Sequence, residues 1–433
     1  MKILFAQKIP YLPGFNGASR VGRCLLDGLA ERGHECRVIA PIGALVEELK
    51  RFACFNGDDR SALRILELAS SRQVFSRSGV KVYAFANGAR LHEHLKDQIQ
   101  EFDPTWIIIS EDPTYMLLAA ATEIDPHRTV FLSQSQATLP FGPDAFMTDR
   151  IKTRMLEEVA GILTSSKYLK NYIQRWGGLD SFVVRVPVYG LPPFPQLAAW
   201  DNSYLTMINP SNIKGLPMFL ELARRFREIK FAAVPTWATN AADRSACAAL
   251  PNVTVLQPSE NIDEIFKQTR ILLVPSLWGE AFGLVVVEAM LRGIPVLASN
   301  LGGLIEAKLG VDYLLPVRQI ETYENRRDEN GIPIPVIPEQ NVDAWDTALR
   351  ALLGDETEFD RLSVDSRKAA TDYALGLSIT PTEQYLEDLS QRRASVTFAA
   401  RSQKNDVAKM LEGLPAEKLA ALAAHLKKNA QQN

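Results

Sequence analysis

One stretch of the chain constrains the fold more than any other, the strand–loop–helix–strand pattern of residues 275–307. An apolar strand ends at Ser276, and a short loop follows. The helix-forming run over 283–292 is then closed by Gly293 and a nearby proline, which are typical helix stop signals. A second apolar strand, over 294–299, comes directly afterwards. Strand, helix and strand in this order predict part of an α/β sheet with the helix packed against it.

Two acidic residues lie on either side of the start of that helix. Glu280 lies in the loop at the carboxyl end of the strand, and Glu288 lies on the helix behind it. At a rise of ~1.5 Å per residue, the two acids can be roughly 12 Å apart along the helix axis. A ligand that touches both must be long, with an anionic centre near the helix N-terminus and hydroxyl groups at either end. A nucleoside diphosphate sugar has that form.

Apolar strand-like runs alternate with helical segments in both halves of the chain. A break with clustered prolines, which suits an interdomain linker, separates the halves at 189–205. The pattern predicts two doubly wound Rossmann-like domains that face a cleft, with ligands at the carboxyl ends of the strands. The predicted units are an N-terminal domain (1–190), a linker (191–205), a C-terminal domain (206–380), a helix (381–395) and a helical tail (396–433).

Four further positions follow predicted strands and therefore belong to the ligand-binding edges. Gly17 lies in the loop after the first strand and lets the chain approach a ligand without a Cβ atom. Lys214, followed by a glycine, lies in the equivalent place of the second half. Glu111 follows a later strand of the first half and is a candidate for either acceptor or structural contacts, and Gln134 follows another strand.

Composition excludes several classes of protein. The 433 residues are 46% hydrophobic and carry a net charge of −3, without the basic excess of a nucleic-acid-binding protein. No apolar run reaches the ~20 residues of a membrane-spanning helix. The four cysteines lack metal-binding spacing and are interpreted as reduced thiols of a cytoplasmic protein. No Asp-x-Asp motif occurs, so a divalent metal is not implied, and none of the five histidines is placed for catalysis.

The assembled motif resembles the GT-B glycosyltransferases of sequence family 4, which are retaining enzymes. The resemblance rests on E-AFGLVVV-E from Glu280 to Glu288, an E-x7-E pattern, followed by GIPVLAS and LGGLIE, and on NPSNIKG at 209–215. It extends over about residues 1–395 and implies that the helix over 381–395 crosses back to the N-terminal domain. More narrowly, PFGPDAF, PVYGLPPFP and VPSLWGEAFG resemble glycosyltransferases found beside nonribosomal peptide and polyketide synthases.

The resemblance implies a transfer of sugar from a nucleoside diphosphate sugar, with a UDP- or GDP-sugar as the expected donor, to a hydroxyl group of a small-molecule or natural-product acceptor. No metal and no other cofactor is implied. Glu280 would bind the donor sugar and respond to oxocarbenium charge. Glu288 would accept both ribose hydroxyls, and Gly17 would let its loop close over the donor. Residues near 255–257 are expected beside the base.

The remaining donor contacts implied by the resemblance concern the diphosphate. The backbone amides of Phe282, Gly283 and Leu284 open the helix and would face the sugar and the diphosphate. Unpaired amides and the helix dipole at this place favour a leaving anion on physical grounds as well. Lys214 would act with Glu280 in catalysis by neutralising the leaving phosphate.

Two positions depart from the family pattern. Ile208 stands where the family usually has an arginine that contacts the diphosphate, and either Arg20 or a helix dipole is a candidate replacement. Gln134 stands where the family often has a histidine near the sugar and the acceptor. Glutamine can hydrogen-bond a hydroxyl group but cannot act as a general base. A front-face retaining route, in which the leaving phosphate takes the acceptor proton, would not need one.

These departures keep two alternatives open. The first is a catalytically degenerate GT-B protein that acts as a partner or activator of a biosynthetic enzyme. The second is an enzyme similar to nucleotide-sugar epimerases. The tail over 396–433 has leucines at Leu419, Leu422 and Leu426, whose spacing predicts one helical face. That face would either pack on its own domain or dock another protein.

Overall fold

Two open, mainly parallel β-sheets organise the chain. The computed structural model describes residues 1–12, 16–43, 63–259 and 261–393. The first sheet has the strand order β3-β4-β5-β2-β1-β6-β7-β8-β9. Its strands are β1 (Lys2–Gln7), β2 (Glu35–Pro41), β3 (Arg64–Leu68), β4 (Arg72–Arg77), β5 (Val80–Phe85), β6 (Trp106–Ser110), β7 (Thr129–Ser133), β8 (Gly161–Thr164) and β9 (Phe182–Val183). We call residues 1–190 the N-lobe.

The second sheet has the order β12-β11-β10-β13-β14-β15 and defines the C-lobe, residues 204–380. A separate two-stranded sheet pairs β16 with β17. The strands are β10 (Tyr204–Ile208), β11 (Phe231–Val234), β12 (Val253–Val255), β13 (Thr269–Val274), β14 (Val296–Ser299), β15 (Leu314–Leu315), β16 (Tyr323–Arg327) and β17 (Pro333–Pro335). Both large sheets therefore confirm the predicted α/β class.

Helices follow the strands, as the alternating pattern predicts. The N-lobe helices are α1 (Gly17–Glu31), α2 (Leu91–Phe102), α3 (Met116–Ile124), α4 (Arg150–Glu158) and α5 (Lys167–Gly177). The C-lobe helices are α6 (Leu216–Arg225), α7 (Ala241–Ala248), α8 (Asp263–Phe266), α9 (Leu284–Leu291), α10 (Leu304–Ala307), α11 (Asp343–Gly354) and α12 (Glu356–Leu375). Short 3-10 turns cover Gly88–Arg90, Pro126–Arg128 and Asn212–Lys214.

Strand register brings the predicted ligand-binding positions to two sheet edges. In the N-lobe, β1 pairs in parallel with β2 and β6, and Phe5 lies opposite Val38 and Ile108. In the C-lobe, β10 pairs in parallel with β11 and β13. Because parallel strands end on the same side, the segments after β1, β6 and β7 share one edge, and those after β10 and β13 share another. Each edge lies above its own apolar core, which includes Leu4 in the N-lobe and Trp345 in the C-lobe.

Two regions differ from the predicted parallel pattern. The N-lobe sheet ends in an antiparallel meander in which β4 pairs with both β3 and β5. Ser78 and Gly79 join β4 to β5 with φ angles of 50° and 79°. Two consecutive positive φ angles are typical of the tight hairpin turn, and Ser-Gly between apolar runs is its sequence signal. The charged segment over 317–340, predicted as a surface excursion, contains the β16–β17 hairpin.

Residues Met1–Thr382 form one compact unit that contains both sheets. Within the second unit, Glu383–Asn433, the structure describes residues 383–393, which are helical. The helix predicted over 381–395 is thus found, whereas its crossing back to the N-terminal domain stays a prediction. The predicted docking tail over 396–433 lies outside the described residues. In the part of the chain that the structure describes, every helix is too short or too polar to cross a bilayer.

Candidate functional site

The two predicted catalytic residues form an ion pair. Lys214 ends the 3-10 turn that follows β10, and Glu280 lies in the loop after β13. The Lys214 Nζ atom lies 2.6 Å from Oε1 and 2.7 Å from Oε2 of Glu280. The Ser276 hydroxyl donates a further hydrogen bond of 2.5 Å to Glu280 Oε1. The side chains of the pair are only 15% and 14% exposed, so the interaction is sheltered from solvent.

Opposing effects act on the pKa of Glu280. Burial raises this pKa, but the charge of Lys214 and the hydrogen bonds from Lys214 and Ser276 outweigh burial and hold it below its usual value. Glu280 is therefore a carboxylate at neutral pH. An ionised carboxylate only accepts hydrogen bonds, so this group suits sugar hydroxyls and positive charge rather than proton donation.

Two tryptophans border the Lys214 ammonium group. Its Nζ atom lies 4.9 Å from the ring centroid of Trp278 and 5.6 Å from that of Trp237. Trp278 packs against the C-lobe core. Trp237, which follows β11, is 47% exposed and was not singled out from the sequence. The cation thus has aromatic faces beside it and a carboxylate in contact, which restricts the directions from which an anion can approach.

Close backbone packing holds the Glu280 loop in place. Gly215 has a φ of +87°, and a Cβ atom there would lie 1.8 Å from the carbonyl oxygen of Pro275. A Cβ atom on Gly303 would lie 2.4 Å from the carbonyl oxygen of Ala281. The Gly303 amide donates to the Glu280 carbonyl oxygen at 2.7 Å. Gly303, which follows β14, therefore supports the loop that carries the acid.

The predicted amides lie where α9 begins. Gly283 is the N-cap with a φ of +103°, and Leu284 is the first helical residue. Amides of a first helical turn have no acceptor within the helix. Phe282, the first of the three predicted residues, is buried, and its ring stacks on Tyr373 with the ring centroids 5.8 Å apart. Gly17 begins α1 in the N-lobe, and a Cβ atom on it would lie 3.1 Å from Leu284 Cδ1, so the two helix starts meet.

Glu288 has a partner that the sequence did not identify. It lies in the second turn of α9, and its 6% exposed carboxylate forms an ion pair with Arg20 of α1. Arg20 also donates to the Val188 carbonyl oxygen at 3.3 Å. Burial lowers the pKa of Arg20, but the charge of Glu288 together with the hydrogen bond to it outweighs burial, so this pKa is raised. Arg20, one candidate for a second diphosphate cation in place of Ile208, is thus paired with Glu288.

Three N-lobe contacts reach the C-lobe close to Glu280. Gln136 Nε2 donates to the Gly279 carbonyl oxygen, and Ser166 Oγ donates to the Ala281 carbonyl oxygen at 2.5 Å. The Lys167 amide donates to Glu306 at 2.9 Å. Gln136 and Ser166 were not predicted as site residues. The only local signal was a polar side chain shortly after the predicted end of a strand, which many loops share.

On the acceptor side, Gln134 has a structural role in this conformation. Its Nε2 donates to the Ala18 carbonyl oxygen at 3.1 Å and to Ser110 Oγ at 3.0 Å, which joins the start of α1 to the end of β6. Asp112, undecided from the sequence, accepts from the amides of Leu117 and Leu118 at 2.7 and 3.1 Å. Asp112 therefore stabilises the start of α3.

Glu111 is different from both of these neighbours. It directly follows β6 with a φ of +46°, a left-handed conformation that non-glycine residues seldom adopt. The residue is half-buried, and no side chain or amide of the described residues contacts its carboxylate by hydrogen bond or ion pair. Burial raises its pKa from 4.5 to about 7. A carboxyl group of this kind can exchange a proton near neutral pH.

Two surface grooves lie on the described part of the chain. One of about 350 Å³ lies past β12 and is lined by Leu256, Gln257 and Pro258, beside the residues expected near the base. Another of about 440 Å³ lies between the lobes, where Tyr168 and Gln319 form parts of opposite walls. Both Tyr168 and Gln319 hydrogen-bond to Asp144, at 3.3 and 2.5 Å. No cluster of three metal-binding side chains occurs within the described ranges.

Two doubly wound sheets with the predicted binding residues at their edges are typical of the GT-B glycosyltransferase fold, and solved structures agree. Sucrose-phosphate synthase from Thermosynechococcus elongatus superposes with a TM-score of 0.60 at 14% identity, covering 93% of this chain and all of that one. Anabaena HepE in complex with UDP-glucose superposes with a TM-score of 0.59 at 15% identity, covering 90% of this chain and 98% of that one. At these identities the likeness establishes the fold alone.

Sequence comparison adds the family to which the C-lobe is similar. Residues 203–355 match the family described as "Glycosyl transferases group 1". An uncharacterised 42.6 kDa protein in the cps region of Klebsiella pneumoniae is 33% identical over 123 residues, 28% of this chain and 31% of that protein. D-inositol 3-phosphate glycosyltransferase of Nocardia farcinica is 32% identical over 130 residues, 30% of this chain and 23% of that enzyme. The chain thus spans less than a third of the length of these relatives, and the similarity to group 1 glycosyltransferases is a property of the C-lobe.

Proposed function

We propose that this protein is a retaining, metal-independent glycosyltransferase that moves a sugar from a nucleoside diphosphate sugar to a hydroxyl group of a small-molecule or natural-product acceptor. The observation that carries the proposal is the Lys214–Glu280 pair, placed beside the first amides of α9 on a GT-B fold. Glu288 lies in the second turn of the same helix. Together these groups would present positive charge, amide donors and two carboxylates that can accept hydrogen bonds from hydroxyl groups.

Each group has a role in this mechanism. Glu280 accepts hydrogen bonds from the donor sugar and stabilises positive charge that develops at its anomeric carbon. Lys214 and the amides of Phe282, Gly283 and Leu284 stabilise the negative charge of the departing diphosphate, which provides electrostatic help without a metal. Because Lys214 already contacts Glu280, both charges are in place before the donor binds.

The chemical step conserves the configuration of the sugar. The bond between the anomeric carbon and the diphosphate oxygen breaks, and the acceptor oxygen bonds to the same face of the sugar. The acceptor proton passes to the departing diphosphate oxygen, so atoms and charges balance without a protein base. Glu111 and Gln134 bind acceptor hydroxyls on the N-lobe side. Glu111 is the better placed of the two, because its carboxylate is unpaired among the described residues whereas the Gln134 amide group donates internally.

The donor is proposed to be a UDP- or GDP-sugar with its base in the groove at Leu256 and Gln257. The Anabaena structure with UDP-glucose supports a nucleotide sugar as the class of ligand. Gly17 allows the first helix to approach Leu284, which favours a cleft that closes over the donor. The acceptor class rests on the narrower sequence resemblance and on the groove between Tyr168 and Gln319.

Thermal-shift titration of the full chain with UDP, GDP, ADP and dTDP tests the proposal. We expect a rise in melting temperature with at least one nucleotide, and slow hydrolysis of the corresponding sugar donor without acceptor. Mass detection of the products then identifies the transferred sugar. Binding of none of the four nucleotides would contradict the proposal and favour a non-enzymatic partner of a biosynthetic enzyme.

A further inference from the structure

The ion pair between Arg20 and Glu288 joins three parts of the molecule. Arg20 belongs to the first N-lobe helix, and Glu288 belongs to the C-lobe helix that opens at the candidate donor site. The Arg20 guanidinium also donates to the carbonyl oxygen of Val188, at the end of the N-lobe just before the linker. A single side chain therefore connects the first N-lobe helix, the end of the N-lobe and the second of the two candidate acids.

Burial of Glu288 makes its contact with Arg20 energetically important. The carboxylate is 6% exposed, and a buried carboxylate without a counter-charge is costly. Arg20 is 32% exposed, so the cation reaches the acid from a partly solvated position. When the lobes are together, the Arg20 charge compensates the acid. If the lobes part, Glu288 loses that partner and gains water.

Only one carboxylate oxygen is used in this way. Arg20 Nη1 donates to Glu288 Oε1. Among the described residues, no hydrogen bond reaches Oε2, so that oxygen remains an acceptor for a ligand. A carboxylate held by one oxygen has a defined orientation, which lowers the entropy cost of binding through the other. Because Arg20 contacts Oε1 and leaves Oε2 open, Arg20 and the ligand do not compete for the same carboxylate oxygen.

We infer that Arg20 is a positioning residue, which couples the approach of the two lobes to donor binding by neutralising Glu288 and directing its second oxygen at the donor ribose. The inference rests on the proposed function for the identity of the ligand. It assigns Arg20 a role at the ribose acid and not at the diphosphate. It also explains why an acid in the middle of the apolar sequence VVVEAM is tolerated, because its counter-charge comes from the other lobe.

The experiment compares Arg20→Met with a matched control in the same lobe. Arg77→Met removes the guanidinium that pairs with Asp27, also on α1, at 2.7 Å, with exposures of 27% and 21%. That pair stays within the N-lobe. Arg20→Met should raise the donor KM about tenfold with a smaller change in kcat, the scale of coupling between contacting residues. Arg77→Met should leave both kinetic constants unchanged, and Arg20→Lys should partly restore the donor KM.

A double-mutant cycle isolates the pair from general damage. In the Glu288→Gln background, Arg20→Met should have almost no further effect on nucleotide affinity, because no carboxylate charge is left to position. Small-angle scattering without ligand should give a larger radius of gyration for Arg20→Met than for the wild type and for Arg77→Met. Tighter donor binding by Arg20→Met would overturn the inference, since Arg20 would then be a competitor of the donor. Equal effects in both backgrounds would overturn it as well.

Failure of the proposed function gives a different pattern. If the wild type binds none of UDP, GDP, ADP and dTDP, the nucleotide-sugar role falls, and with it the ribose contact. The same double-mutant cycle can then be measured on the free energy of unfolding instead of nucleotide affinity. Together with the scattering comparison, it still decides whether Arg20 and Glu288 couple the lobes. A normal nucleotide response of the wild type with an unchanged Arg20→Met variant would instead reject the positioning role alone.

Discussion

The acids of the two lobes have opposite surroundings. In the C-lobe, Glu280 contacts Lys214 and Ser276, and these partners hold its pKa below the usual value in spite of burial. In the N-lobe, Glu111 has no such partner among the described residues, and burial alone raises its pKa to about 7. Both residues follow a strand at a ligand-binding sheet edge.

The difference separates two kinds of chemistry. A permanently ionised acid with hydrogen-bond partners is preorganised to stabilise positive charge, so no free energy is needed to reorganise it during the reaction. An unpaired acid whose pKa is near neutrality changes its charge with pH or with a bound ligand. In the proposed mechanism, the C-lobe acid is therefore ready for the donor before binding, whereas the N-lobe acid would gain a partner from the acceptor.

Removing the C-lobe acid should have the largest effect. Glu280→Gln keeps the size of the side chain but removes the charge that faces the anomeric carbon, so kcat should fall by about 10²–10³-fold, the scale for loss of one preorganised electrostatic contact. Steady-state kinetics with the active donor measure this. Glu288→Ala provides the contrast, because it should mainly raise the donor KM. Unchanged transfer by Glu280→Gln with every active donor would rule out its role.

Removing the charge of Lys214 should make the pKa of Glu280 respond to burial as that of Glu111 does. In Lys214→Met, burial of Glu280 is no longer opposed by the ammonium charge, so the pKa of Glu280 should rise. We expect kcat/KM to fall about 10–100-fold at pH 7 and to recover partly as pH increases. A pH–rate profile measures this shift. Lys170→Met, which removes an exposed pair with Asp180, is the control.

Glu111→Gln tests the N-lobe side through stability. Because the pKa of this acid is raised from 4.5 to about 7 on folding, the folded chain binds more protons than the unfolded chain between those values. Wild-type stability is therefore lost as pH rises through that window. The variant should melt at a higher temperature than the wild type at pH 8, and the difference should vanish near pH 4.

Melting temperatures measured across this pH range test the direction of the difference between variant and wild type, with the surface substitution Glu123→Gln as the control. If Glu111→Gln melts at a lower temperature than the wild type at pH 8, the folded protein stabilises Glu111 as a carboxylate. That result would contradict the difference drawn between Glu111 and Glu280. If Glu111 also binds the acceptor, the acceptor KM should rise while hydrolysis of the donor alone stays constant.

The smallest effect is expected at a contact between the lobes. Gln136→Ala removes the hydrogen bond from the N-lobe to the Gly279 carbonyl oxygen, next to Glu280. Loss of one such bond should lower the unfolding free energy by about 1 kcal/mol. Chemical denaturation measures this change, and a matched loss of kcat would show that the N-lobe also orients the Glu280 loop. Thr347→Ala, which removes an exposed side-chain bond within α11, is the control.

Much of the fold could be predicted from periodicity. The helices at Leu91–Phe102 and Glu356–Leu375 occur where the sequence indicates them, because apolar spacing and stop signals act locally. The antiparallel edge was missed although its Ser-Gly turn is a recognisable signal. Lys214 and Glu280, each singled out from the sequence, form an ion pair because they follow the adjacent parallel strands β10 and β13.

The pairings between the lobes could not be predicted in the same way. Arg20 and Glu288 are 268 residues apart, and Gln136 and Gly279 are 143 residues apart. No local propensity links such positions, because their contact depends on how two separately folded sheets meet. The assignment of Gln134 to the acceptor side stays a prediction, and the hydrogen bonds by which its amide group joins α1 to β6 connect distant segments that no local pattern links.

The sequence by itself determined that this chain forms βα-alternating lobes and that two acids lie on either side of the start of one helix, since those features depend on neighbouring residues and strand order. Only the tertiary structure decided which charge each acid meets. Glu280 finds Lys214 within its own sheet, whereas Glu288 finds Arg20 across the lobes. The physical reason is that electrostatic partners are selected by distance in space, and the distance between lobes is not encoded in any local pattern.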